Sequence, residues 1–269
     1  MGFFTKKRDK REYGNKRAKI ISIAAQKGGV GKTTISTNLA VAQALFSDKK
    51  VLLIDLDAQA HTYEALFSFI EREDSLFSEY FLDKDRNLMD IVKETDIENF
   101  YYIPADKKLI ETESRIASKI GKEFIFKKLL DIPKTHFDLI IIDSPPNLGP
   151  LTISALVASD YVVIPTELSN LSMDGIDGLL EIMELVIENY NHKLDILGII
   201  INKIDLRATK TNKFLIKELE ERFSDYLRTP YIPNSTLFKK AQLDGKSIFE
   251  YDKKHKVTNL FKDLSKSLI

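Results

Sequence analysis

Short apolar segments punctuate the chain at residues 20–25, 51–55, 99–103, 138–142, 161–165, 196–202 and 229–232. Most are continuous β-branched runs rather than apolar–polar alternations, the pattern of strands covered on both faces in a parallel sheet. The stretches between them carry the spacing of amphipathic helices, at 32–46, 62–80, 87–94, 106–118, 122–131, 151–158, 172–190, 211–226 and 257–268. This alternation predicts an α/β fold: a doubly wound, mostly parallel sheet flanked by helices, with its site at the carboxyl ends of the strands. Residues 20–269 read as a single domain, and segment 71–98, charged and irregular, fits the alternation least well.

Composition narrows the chemistry. Among 269 residues, 43% are apolar and 30% charged, as in an ordinary globular protein. Cysteine is absent, which excludes disulfides, thiolate metal sites and thiol nucleophiles. The histidines, His61, His136, His192 and His255, show no metal-ligand spacing. No apolar run reaches bilayer length and no secretory signal is visible, so a cytoplasmic protein without stable membrane insertion is expected. The net charge is zero but uneven: residues 1–19 carry eight Lys/Arg against Asp9 and Glu12. That basic N-terminal segment reads as a flexible tail, either solubilising or making sequence-blind contacts with an anionic surface.

The sharpest chemical signal is Ile21-Ser-Ile-Ala-Ala-Gln-Lys-Gly-Gly-Val-Gly-Lys-Thr-Thr34, a buried strand, a glycine turn and then helix formers. A phosphate-binding loop needs that layout: glycines let backbone N–H groups point inward, and the helix adds its positive end. Gly28, Gly29, Val30 and Gly31 would supply the cradle, Lys32 a charge on the β- and γ-phosphates, and Thr33 with Thr34 the hydroxyls, Thr33 towards Mg²⁺. Gln26 stands where the usual pattern has its first glycine, and Lys27 follows it.

KGGVGKTT resembles the deviant Walker A loop of the ParA/MinD branch of P-loop ATPases, with Lys27 as the signature lysine. The resemblance implies that Lys27 reaches across a dimer interface to the partner's nucleotide. Further motifs follow in the same order. Asp55-Leu-Asp57-Ala-Gln-Ala60 is similar to the family's Asp-x-Asp-Pro-Gln-Gly, making Asp55 a magnesium-side carboxylate and Asp57 the group that positions water. Ala58 and Ala60 depart from that pattern, and a switch loop of altered stiffness is expected. Asp143, after the run Asp138-Leu-Ile-Ile-Ile, resembles a Walker B aspartate, followed by a switch-like Ser144-Pro-Pro-Asn-Leu-Gly149. Ile176, Leu179, Leu180, Met183 and Val186 read as the core face of the following long helix.

Asn202-Lys-Ile-Asp205 admits two readings. The tetrapeptide type reads guanine in GTPases, whereas in the resembled family an asparagine here bonds adenine, joined by the loop matching Pro233 and Asn234; ATP is expected over GTP. Arg207, Lys210, Lys213 and Lys217 recur at helical spacing, with Lys239 and Lys240 nearby. Such a stripe suits phosphate contacts to nonspecific DNA, or is simply a solvated face. The amphipathic C-terminus (Val257, Leu260, Phe261, Leu264, Leu268) is expected to pack on the sheet rather than on membrane.

Taken together, residues 20–265 resemble a ParA/Soj-type partition ATPase. The resemblance implies Mg²⁺-dependent ATP hydrolysis, slow without a partner; an ATP-dependent homodimer bound to nonspecific DNA; a ParB-like activator; and nucleoid association in the cytoplasm. A MinD-like, membrane-associated spatial regulator of division or flagellar placement is the alternative.

Overall fold

The computed structural model describes residues 17–66, 77–83, 85–169 and 171–269. Eight strands form one sheet: β1 (Lys19–Ile23), β2 (Val51–Asp55), β3 (Lys93–Glu94), β4 (Phe100–Ile103), β5 (Leu139–Asp143), β6 (Tyr161–Glu167), β7 (Asp195–Asn202) and β8 (Leu227–Arg228). Their order is β3-β4-β2-β5-β1-β6-β7-β8, and only the β3–β4 pair at one edge is antiparallel. β1 lies between β5 and β6, while the chain leaving β1 returns as β2 on the far side of β5. The crevice at that crossover is where doubly wound sheets hold ligands.

The continuous apolar runs are explained by burial on both faces. Every residue of β2 and β5 is buried. Alternation sends Ile21, Leu53 and Ile141 to one face, against the helices Lys32–Phe46 and Lys256–Leu268. It sends Leu52, Ile54, Ile140 and Ile142 to the other, beneath Leu109, Phe126 and Leu151. Each fully buried aliphatic side chain contributes about 1.5–3 kcal/mol, so this layer fixes the strand ends beneath the site. Ile176, Leu179, Met183 and Val186 are buried along the helix Leu171–Asn189, with Leu180 packed beside them, as the spacing predicts.

The C-terminal helix is committed to this core. Val257, Phe261, Leu264 and Leu268 are buried, Leu260 partly so, and Gln43 Nε2 donates to the Ser265 carbonyl at 2.9 Å. Its apolar face is therefore covered by the first helix. No helix among the described residues is long and apolar enough to cross a membrane.

Three predicted elements differ. The helix expected at 87–94 is a 3-10 turn, Leu88–Ile91, followed by the edge strand β3. Asn87 accepts from Met89 N at 3.0 Å, closing a local turn instead of a helix, and Lys93 and Glu94 pair with Tyr102 and Tyr101. The strand expected at 229–232 lies earlier, at Leu227–Arg228, because Pro230 has no N–H for the ladder. The stretch 62–80 is helical at His61–Leu66 and Phe77–Tyr80, with 67–76 outside the described residues. Residues 1–16 of the basic tail also lie outside them. Two helices, Thr236–Leu243 and Ile248–Tyr251, begin at Ser235 and Ser247, each of which caps its own first turn. The Ser247-x-x-Glu250 spacing is a helix-start signal that could have revealed the second.

Candidate nucleotide site

The glycine turn sits at the end of β1 and opens the helix Lys32–Phe46. Gly29 and Gly31 have φ of 79° and 94°, left-handed values that glycine adopts without strain. Gly31 has a second constraint: a Cβ there would lie 2.2 Å from Asn202 Nδ2. The end of β7 is pressed onto the loop, where Asn202 Nδ2 donates to the Val30 carbonyl at 2.9 Å. Lys203 donates to the Gly29 carbonyl and pairs with Glu167 at 3.1 Å. The sequence marks Lys203 only as part of a tetrapeptide; its role as a brace appears in the fold.

Lys32 is buried at the mouth of the turn, and that burial lowers its pKa, while the carboxylates of Asp143 and Asp57 draw it back up. Asp55 and Asp143 face each other in register on neighbouring strands β2 and β5. Burial and then the Asp143 charge push the Asp55 carboxyl well above the usual range. Asp143 is raised to about 6, chiefly by burial, with the Thr33 and Thr62 hydroxyls and Lys32 opposing the rise. Asp55 Oδ1 accepts from Asp57 N at 2.9 Å and Asp143 Oδ2 from the Thr62 hydroxyl at 3.1 Å. Asp55 Oδ2 and Asp143 Oδ1 are buried without a hydrogen-bond partner. Two crowded carboxylates with unpartnered oxygens, beside a threonine hydroxyl, have the oxygen chemistry that could hold a hard divalent cation. No local pattern in the sequence marks Thr62, whose hydroxyl follows β2 in the chain but meets the end of the neighbouring strand β5.

Asp57 lies partly exposed on the loop after β2, its Oδ1 accepting from Gln59 N at 3.0 Å. Ala60 in the same loop has φ 55°, the left-handed conformation that a glycine would hold at no cost. A cavity of about 460 Å³ joins these parts. Gly28, Gly29, Gly31, Lys32, Thr33, Thr34 and Asp57 line one end; Phe238, Gln242, Lys246 and Ser247 line the other. The second set comes from the helix Thr236–Leu243 and the turn leading into Ile248–Tyr251, neither of which periodicity marks.

Lys27 is not among the lining residues; its Nζ lies 3.5 Å from Ser169 Oγ, beside the helix Leu171–Asn189. That helix meets the loop through glycines: a Cβ on Gly178 would sit 2.2 Å from Gln26 Oε1, and one on Gly175 3.8 Å from Lys27 Cβ. Pro233 and Asn234 are brought beside Asn202 by the Ile204–Pro233 bridge and by Asn234 N donating to Ile204 O at 2.9 Å. Neither lines the cavity. Asp205, the carboxylate of the guanine reading, is engaged by Arg207 through Nε at 3.0 Å and Nη2 at 3.2 Å.

The basic stripe is shorter than its spacing implies. The helix runs Thr209–Phe223, so Arg207 precedes it and turns onto Asp205, and Lys217 pairs with Glu221 at 3.5 Å. Lys210, Lys213, Lys239 and Lys240 are exposed.

Residues 18–196 match the family model of an AAA domain. The chain is 38% identical over 251 residues to the sporulation initiation inhibitor protein Soj of Bacillus subtilis, covering 93% of this chain and 98% of Soj. It is 30% identical over 251 residues to the chromosome partitioning protein ParA of Myxococcus xanthus, covering 93% and 88%. Among solved structures, an ATP complex of a Cyanothece McdA variant superposes with a TM-score of 0.83 at 26% identity, covering 94% of this chain and 96% of that one. With the loop, the paired carboxylates and the strand order in place, the chain belongs to the Soj/ParA family of the ParA/MinD-type P-loop ATPases.

Proposed function

We propose that this protein is an ATP-driven dimerising switch for chromosome or plasmid partition, folded as one domain over residues 20–269. ATP lays its phosphates along Gly28–Thr34, where inward N–H groups, the helix end and Lys32 meet their charge. Thr33, Asp55 and Asp143 would hold Mg²⁺, which when bound neutralises phosphate charge and fixes the chain's orientation. Asp57, partly exposed at the cavity edge, orients the attacking water. Asn202, Pro233 and Asn234 take the adenine, and Arg207 competes for the Asp205 carboxylate that guanine would need.

The position of Lys27 supports a dimer. Its Nζ lies by Ser169 and not among the residues that line its own subunit's cavity, which fits a lysine that serves a nucleotide held by a second copy. In the ATP-bound pair, exposed lysines of the helix Thr209–Phe223, with Lys239 and Lys240, contact DNA phosphates without reading bases. A ParB-like partner stimulates hydrolysis and releases the protein, which is thereby nucleoid-associated in the cytoplasm. The chromosome-partitioning function named for the M. xanthus relative supports this reading.

One observation carries it: the buried Asp55–Asp143 pair with unpartnered oxygens beside Lys32, a site whose charge closes only with cation and triphosphate. The test is binding to random-sequence duplex DNA with ATP, ADP or no nucleotide across a salt series. Binding that requires ATP and weakens steeply with salt is expected; binding indifferent to nucleotide refutes the switch.

A further inference from the structure

Beneath the carboxylate pair lies a hydroxyl with no role in the scheme above. Tyr102, on β4, is fully buried, and its hydroxyl has no hydrogen-bond partner. Its strand places it close to the site. β4 pairs with β2 in the register Leu53↔Tyr102, and the side-chain period of two puts Leu53 and Asp55 on the same face. Tyr102 therefore shares a face with Asp55, whose carboxylate is close enough to act on its hydroxyl although no well-formed hydrogen bond joins them, and the Asp143 charge acts on it too. Among the described residues, the buried side-chain atoms without a partner are Asp55 Oδ2, Tyr102 OH, Asp143 Oδ1 and Ser144 Oγ. They sit on three adjacent strands, β4, β2 and β5, and the loop that follows.

A phenol can donate and a carboxylate oxygen only accepts, so Tyr102 OH and Asp55 Oδ2 are complementary orphans. Leaving both unpaired in the interior forfeits the hydrogen bonds each would make to water, a loss that a small closure or one bridging water removes. We propose that Tyr102 is a positioning residue for Asp55: its hydroxyl fixes the carboxylate's orientation from below, leaving Asp143 and the upper side of the pair to face Mg²⁺. The proposal rests on the reading of Asp55 and Asp143 as the magnesium-side carboxylates. Outer partners of this kind matter because a ligand that must be oriented on binding pays for that ordering each time.

Tyr102→Phe keeps the ring and deletes the hydroxyl. Binding of a fluorescent ATP analogue, titrated with Mg²⁺, separates the possibilities. In Tyr102→Phe the Mg²⁺ half-saturation shifts upward by roughly tenfold, in the range seen when outer-shell partners are removed, while affinity without Mg²⁺ and the nucleotide-free melting midpoint stay near wild type. Tyr63→Phe, a neighbouring phenol without an orphaned hydroxyl, gives no shift. A double cycle with Asp55→Asn guards against a general loss of fold: once Asp55 is replaced, Tyr102→Phe adds no further shift. Wild-type Mg²⁺ dependence in Tyr102→Phe, or full additivity in the cycle, overturns the proposal. Wild-type binding that ignores Mg²⁺ altogether instead overturns the reading of the pair on which it rests.

Discussion

Asp143→Asn tests the electrostatics of the site most directly, because it removes one charge from the crowded pair and keeps the side-chain shape. Asp143 is raised to about 6 in the fold, against 3.8 for a free carboxyl. The folded state therefore holds this proton more tightly than the unfolded chain does. Its stabilising share is complete below the unfolded value and is lost as pH rises through the folded one. At pH 7.5 the ionised group costs the nucleotide-free protein on the order of 3 kcal/mol, at about 1.4 kcal/mol per unit of displacement. Lys32 loses a counter-charge in the variant, but the elevation of Asp143 already includes that attraction. Asp55 is relieved in addition, since Asp143 is the second cause of its own rise. Asp143→Asn should thus melt higher than wild type at pH 7.5 by on the order of 5–10 °C, given the usual entropy of unfolding at this size. The gap should fall to about half by pH 5, where the folded Asp143 has taken up its proton but the unfolded carboxyl has not, and should vanish only below the unfolded value of 3.8. Scanning calorimetry without nucleotide, from about pH 3.5 to 8, reads both effects; adding ATP and Mg²⁺ should stabilise wild type more than the variant. A variant that melts at or below wild type at pH 7.5, or a gap as large at about pH 3.5 as at pH 7.5, refutes the account.

Other perturbations follow from single contacts. Gly31→Ala places a methyl 2.2 Å from Asn202 Nδ2 at a left-handed position, and should weaken ATP-analogue binding at least about tenfold by fluorescence titration. Ala60→Gly removes left-handed strain of about 1–2 kcal/mol and returns part of it as unfolded-chain entropy, so its denaturant midpoint should be no lower than wild type. Lys27→Ala leaves the cavity lining intact, and light scattering should show nucleotide binding retained with ATP-dependent pairing lost. Replacing Lys210 and Lys213 by Ala should lower the log–log salt slope of DNA binding by roughly 0.9 for each contact removed, with no change in sequence preference.

The residues that were legible in the sequence share one property: their meaning is local. A glycine turn between a β-branched run and helix formers specifies a phosphate loop within 14 residues, and an aspartate ending a buried strand marks a site edge, because backbone conformation and strand burial leave their record in neighbouring positions. The parallel sheet followed from uninterrupted runs such as Leu139–Asp143 for the same reason. What the pattern missed depends on partners distant in the chain. β3 exists only because β4 offers Lys93 and Glu94 an edge, and Arg207 leaves the basic stripe only because Asp205 is within reach. Neither Thr62 on Asp143, Lys203 on Gly29 nor Tyr102 under Asp55 follows any sequence spacing. Side-chain periodicity says which face a residue occupies, whereas strand order and register decide which strangers share that face. Sequence alone therefore determined the kind of site and its first layer of residues; the packing of β4, β2, β5 and β7 around the loop decided how those residues are charged, braced and oriented.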